Sequence, residues 1–190
     1  MLLSTLLAVK LTFLLMKGPE SLTTKDVKLT SLIVKEQYKK ELNVNLKTIR
    51  IMKVRLEAPE IMTLGNISNG TIWNHWYKYI KTRYRRVDTI KMLILPPIYE
   101  EGLYWNAGEG SVCSYVNSNP FGWVALRNYD TLSKGFRYQI ASTGIAHELG
   151  HVCCMTHDDS NPPSIMNSNA LAHAYEGLRF SAKSKIENNC

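Results

Sequence analysis

The stretch His147-Glu148-Leu149-Gly150-His151, continued by Val152-Cys153-Cys154-Met155-Thr156-His157, holds three histidines and one carboxylate at spacings that suit a catalytic metal. An α-helix advances about 100° per residue, so His147 and His151 stand one above the other and can offer two imidazoles to one ion. Glu148 follows the first of them directly. That offset turns its carboxylate to the side of the ion, placed to take a proton from water there and not to ligate. The third ring, His157, does not fall on a helical repeat from His151, so the chain must leave the helix and fold back to deliver it. Three neutral nitrogens suit zinc and leave a fourth position for water, whose pKa the ion lowers to roughly 7. Ile145, Leu149 and Val152 form an apolar stripe that would bury such a helix with or without metal, and a bare HExxH arises by chance. The later histidine and Ser164-Ile165-Met166-Asn167 downstream argue against coincidence.

HExxHxxGxxH followed by a methionine-bearing turn is the signature of metzincin metallopeptidases, and this chain resembles them. The resemblance sets His147, His151 and His157 as zinc ligands, Glu148 as general base and Met166 as the Met turn beneath the metal. Within that clan the chain is most similar to the adamalysin or reprolysin family, the catalytic domains of snake-venom and ADAM-type metalloproteases. Leu42 to Ile51, preceded by Tyr38, is similar to that family's first helix and second strand. Thr71 to Trp76 and Asp88 to Leu95 are similar to its second helix and third strand, and Phe180-Ser181 with Ser184 resembles its closing helix. The resemblance implies an edge strand at Gly102, Leu103, Tyr104 and Trp105 to which an extended peptide would pair, and a disulfide from Cys113 to Cys190. Cys153 and Cys154 are adjacent and not expected to pair with each other. Cys153 reads first as a small buried hydrophobe, with a weak metal ligand or a latency thiol as the alternatives for this pair.

Two departures stand out. Cys154 occupies the family's glycine position, where the helix should end in a left-handed conformation that costs a non-glycine residue about 1–2 kcal/mol. Ser164 stands where many reprolysins have cysteine. Asp158, next to the third ligand, is expected to support the loop or to hold the ligands from behind and not to do chemistry, and His75 and His173 read as ordinary surface or core histidines.

With 190 residues, 45% of them hydrophobic, the chain can form one domain with a real core. We expect a single catalytic domain over 1–190, divided into an upper part, 1–157, and a lower part, 158–190, with the substrate cleft between them. The net charge of +7, with clusters at Arg83 to Arg86 and Lys35 to Lys40, would attract acidic glycans or an anionic membrane surface. A solvated basic face is the simpler reading, nothing resembles a nucleic-acid-binding module, and a monomer is expected. Sequons at Asn66 and Asn69, with the implied disulfide, point to a secreted or extracellular glycoprotein. The apolar first sixteen residues lack a basic start and a clear cleavage site, so 8–16 reads as the first strand in preference to a signal peptide.

The remaining pattern gives a helix at 29–41, a strand at 44–56, a loop at 57–70, a helix at 71–84 and a strand at 89–96. Short strands follow near 102–106 and 122–127, then the active-site helix at 139–153 and a last helix at 179–187. Strands alternating with helices predict a mixed α/β zincin-like fold: a twisted, mainly parallel sheet backed by helices, with a small C-terminal subdomain carrying the Met turn. The expected function is zinc-dependent endopeptidase action on extended protein segments. The competing reading is a catalytically silent, zinc-stabilised binding module with a basic surface, and a matrixin-like branch would change substrate preference without changing mechanism.

Overall fold

The run Val-Lys-Leu-Thr-Phe-Leu-Leu forms strand β1 (Val9–Leu15), and almost all of it is buried. A near-continuous apolar run is what a strand paired in parallel on both sides requires, because helices cover both of its faces or other chain does. β1 indeed lies between β2 (Leu46–Lys53) and β3 (Thr89–Leu95), parallel to each. The computed structural model describes residues 8–18, 20–54, 89–100, 103–110, 113–114, 120–128, 132–160 and 163–190. The expected loop 57–70, the helix at 71–84 with His75, the sequons at Asn66 and Asn69, the Arg83 to Arg86 cluster and Gly102 fall outside these residues.

Beyond β3, the sheet continues with β7 (Phe121–Ala125) in parallel and ends in β6 (Ala107–Gly110), antiparallel to β7, giving the order β2-β1-β3-β7-β6. β4 (Ile98–Glu100) and β5 (Leu103–Trp105) pair with each other in a separate two-stranded sheet. The expected substrate strand at Leu103 to Trp105 is a strand, but it lies outside the main sheet. Among the described strands the main sheet ends in β2 on one side and β6 on the other, and β5 lies outside it with β4 on one of its sides.

Helix α1 (Thr24–Leu42) opens with a capping box in which the Asp26 N–H donates to Thr23 Oγ1 and the Thr23 N–H donates to Asp26 Oδ2. It ends at Asn43, whose left-handed φ of 56° suits one of the few non-glycine residues that adopt it readily. The second described helix, α2 (Lys134–Val152), is buried throughout its second half. The two helices lie on the same side of the sheet and share a core that includes Phe13, Val34, Ile90, Val124, Ile145 and Leu149. Tyr38 fastens them: its hydroxyl donates to the Ala146 carbonyl at 3.0 Å, and its ring meets Phe180 edge-on at 5.0 Å. The other face of the sheet carries a second cluster with Leu14, Leu93, Phe121 and Trp123.

After α2 the chain forms a 3₁₀ helix (Ala170–Glu176) and a short α3 (Ala182–Glu187). This tail is tied back to α1: the Phe180 N–H donates to Glu41 and Gln37 donates to the Leu178 carbonyl. The mixed, mainly parallel sheet backed by helices is as the sequence predicts. The helices are shifted at their ends, α1 and α2 beginning about a turn earlier than expected and α3 slightly later.

Candidate metal centre and cleft

His147 and His151 project from the buried end of α2, and each ring is oriented through its Nδ1. His147 Nδ1 lies 2.6 Å from the Ile165 carbonyl oxygen, and His151 Nδ1 lies 2.9 Å from that of Met155. A carbonyl can only accept, so both Nδ1 atoms carry the proton and both Nε2 atoms keep a bare lone pair. Those lone pairs converge. His151 Nε2 lies 3.2 Å from His147 Nε2 and 3.2 Å from His157 Nε2, and one nitrogen from each of the three rings falls within 4.8 Å of the others. With no proton between the first two, such a separation is repulsive unless a cation compensates it. It is also close to the edge of a tetrahedron of Zn–N bonds of about 2.0–2.1 Å, roughly 3.3 Å. The donor set of three imidazoles therefore fits a borderline-soft divalent ion such as zinc. Burial supports this by pushing the His147 pKa down to about 4, with the neighbouring His151 and His157 adding to the fall and the Ile165 carbonyl opposing it. His151 is lowered for the same reason. Neutral imidazoles are the form that binds metal.

His157 arrives through the turn that ends α2. The Met155 N–H donates to the Gly150 carbonyl and the Cys154 N–H to that of His151, which is a Schellman ending with Cys154 at the left-handed position. The φ of 76° at Cys154 is the conformation expected there for glycine. The cysteine is held in it by a disulfide to Cys113, itself at φ 54°, whose N–H donates to the same His151 carbonyl. Cys153 is bonded to Cys190. The expected Cys113–Cys190 bridge is thus replaced by two bridges that use the adjacent pair. Cys153 and Cys154 are half-cystines and not a buried thiol, a metal ligand or a latency thiol. They do not pair with each other, and neighbouring side chains diverge far enough to reach two different partners.

Met166 sits in the expected turn. The Asn167 N–H closes it on the Ser164 carbonyl, and the Ser164 hydroxyl accepts from the Met166 N–H. The turn acts on the site in two ways. Ile165 orients His147, and the Met166 sulfur packs so tightly on Gly150 that a Cβ there would collide with it. Asp158 supports this loop as expected, its backbone N–H donating to the Met166 carbonyl and its carboxylate accepting from the Ser160 N–H. His173 pairs with Glu176 on the surface, away from the centre.

Glu148 is 7% exposed and faces β6. Burial pushes its pKa up to about 8, the Gly110 N–H hydrogen bond pulls it back, and the charge of Glu109 pushes it further up. A carboxyl held in this range can both accept and return a proton near neutrality. The sequence reading missed what makes room for it. A Cβ on Gly108 would meet the Glu148 carboxylate, and one on Gly110 would meet the Glu148 carbonyl and come within 2.7 Å of His151 Cβ. Two glycines separated by one residue face the same side of a strand, so Ala-Gly-Glu-Gly itself was the available signal for a close approach of another element. Between β6, α2 and the chain around Asn169 to Ala172 runs a cleft of about 920 Å³ with the three histidines and Glu148 in it.

No family model matches the sequence, and no curated protein matches it. Solved structures do match its fold. A zinc-dependent peptidase from Methanocorpusculum labreanum is 15% identical over 93% of this chain and 98% of its own, with a TM-score of 0.52. Archaemetzincin from Methanopyrus kandleri is 14% identical over 94% and 92%, with a TM-score of 0.57. Metalloproteinase-II from Bacteroides fragilis is 13% identical with a TM-score of 0.57, over 95% of this chain but 52% of its own, so the present chain spans about half of that protein. The mixed α/β architecture around the histidine centre is the fold of these zinc metallopeptidases.

Proposed function

We propose that the protein is a zinc-dependent endopeptidase of the metzincin type, acting on extended segments of protein or peptide substrates. The observation that carries this reading is the convergence of three imidazole Nε2 atoms, two of them bare, beside a buried carboxylate in an open cleft. His147, His151 and His157 would hold the ion, which when bound polarises a carbonyl and acidifies water. Glu148 takes a proton from the attacking water and passes it to the departing amine, and burial between α2 and β6 holds its carboxylate at that task. A peptide enters as an added strand on the free edge of β6. The Gly110 N–H reaches Glu148, so it points away from β7, and by the two-residue repeat the main-chain groups of Gly108 share that open side. Backbone pairing of this kind selects flexible, extended chain over folded structure.

The adamalysin or reprolysin branch within that clan is the one that the stretches Leu42 to Ile51 and Phe180 to Ser184 resemble. The two disulfides support an oxidising compartment and with it a secreted protein. A silent zinc-stabilised module has no use for Glu148, whose buried carboxylate would be a net cost to such a fold.

Digestion of a denatured protein by zinc-loaded wild type and Glu148→Ala tests the proposal. Wild type should cleave, a chelator should stop it, and the substitution should lower kcat by roughly 10²–10⁴-fold while zinc content stays the same. Equal absence of cleavage in both proteins would reject the hydrolase and leave the binding module.

A further inference from the structure

Glu109 is the centre residue of β6 and differs from its neighbours in every respect that matters to a ligand. It is exposed, it lines the cleft, and glycine stands on either side of it. Strand alternation turns it to the sheet face opposite Gly108 and Gly110, the face on which Ala107 packs with the Trp123 cluster. No lysine or arginine lines the cleft among the described residues, and Glu109 makes no ion pair there. A chain whose net charge is +7 thus presents a carboxylate, flanked by residues without side chains, along the edge where a peptide would pair.

We propose that Glu109 is a specificity-determining residue that selects a lysine or arginine in the substrate, at the position paired across from it on the added strand. The inference rests on the peptidase reading above and names its substrate class: basic extended segments. On one face of an antiparallel pair, directly opposite side chains lie about 4.5–5.5 Å apart at Cβ, within reach of a long basic side chain, while the next residues of the peptide face the other way toward Glu148. Opposite charges facing each other in this geometry are worth roughly two- to fivefold in binding, and like charges disfavour it by a similar factor.

The test uses peptides that differ at a single position as Lys, Arg, Gln or Glu, scanned across the segment that enters the cleft. Their binding is measured on zinc-loaded Glu148→Ala protein, which separates recognition from turnover, and their kcat/KM on otherwise native enzyme. At one position Lys and Arg should bind roughly two- to fivefold more tightly than Gln, with Glu weakest. Glu109→Gln should level that ranking and Glu109→Lys should invert it in favour of Glu, with thermal unfolding of both variants unchanged because the side chain is exposed. A flat ranking in the starting protein, or one that survives Glu109→Lys, overturns the proposal. A ranking that inverts in the binding experiment upholds it even if native protein cleaves nothing, and that combination would sink the hydrolase alone.

Discussion

On the α2 side of the cleft, the His151 carbonyl accepts from two backbone N–H groups, two disulfides meet at consecutive residues, and the neighbouring turn orients a ligand ring. On the β6 side, the wall is four residues long, two of them glycine, with one strand edge unpaired in the sheet. The first wall is over-determined, which suits groups that must hold an ion to within a fraction of an ångström. The second is bare, as the proposed pairing with a substrate backbone would require. The contrast shows how a small domain can place rigidity and openness on opposite sides of one pocket.

The largest effect should come from the fixed wall. His157→Ala removes a ligand outright, so zinc affinity should fall by more than the 10–100-fold typical of losing an outer partner of a ligand. A competitive chelator titration measures this. Near-native affinity would mean that the third ring is dispensable and that the wall is rigid for some other reason.

Removing the Cys153–Cys190 bridge by paired serine substitution comes next. The bridge closes a loop of 37 residues, for which loop-closure entropy gives about 3–4 kcal/mol. Tail anchoring should loosen with it, since Asn189 donates to the Cys153 carbonyl and Glu187 accepts from Thr156 between the second and third ligands. Denaturant unfolding should show the full loss. A loss well under 1 kcal/mol would place the rigidity in the Schellman turn and not in the cross-link.

How much of these two walls the sequence foretold differs in the same way. His147 and His151 were legible because helix geometry fixes i and i+4, and Glu148 because it follows the first ligand directly; His157 and the left-handed bend at Cys154 followed from the resemblance to the metzincin pattern. Disulfide partners were not. Cys113 and Cys190 both end near the close of α2, and which of two adjacent cysteines each reaches depends on tertiary placement that spacing does not encode. β6 was missed for a simpler reason: Leu103-Tyr104-Trp105 has strong strand propensity and is a strand, whereas Gly108 and Gly110 dilute the strand signal where α2 presses on the sheet.

The open wall should be the more sensitive to added bulk. Gly110→Ala puts a methyl against the Glu148 carbonyl and the His151 Cβ, so β6 and α2 must part. Overpacking of this kind costs about 1–3 kcal/mol. Peptide cleavage should fall by a larger factor than stability implies, because Glu148 moves with the helix. Equal losses in Gly135→Ala, where nothing lies within 4 Å, would remove the close approach from the explanation.

The smallest effect isolates the backbone at Cys154. In a Cys113→Ser background no bridge can form to this residue, so Cys154→Gly and Cys154→Ala differ only in what the turn asks of φ. Alanine at a φ of 76° carries a left-handed penalty of about 1–2 kcal/mol that glycine avoids. Glycine has more unfolded-chain entropy to lose, which offsets about 0.4–1 kcal/mol of that advantage. The glycine variant should therefore be the more stable by about 0.5–1 kcal/mol, or roughly 1–4 °C in thermal unfolding for a chain of this length. Equal melting would mean that the turn relaxes out of the left-handed region once the bridge is gone. The cross-link, and not the helix ending, would then be what delivers His157 to the other two rings.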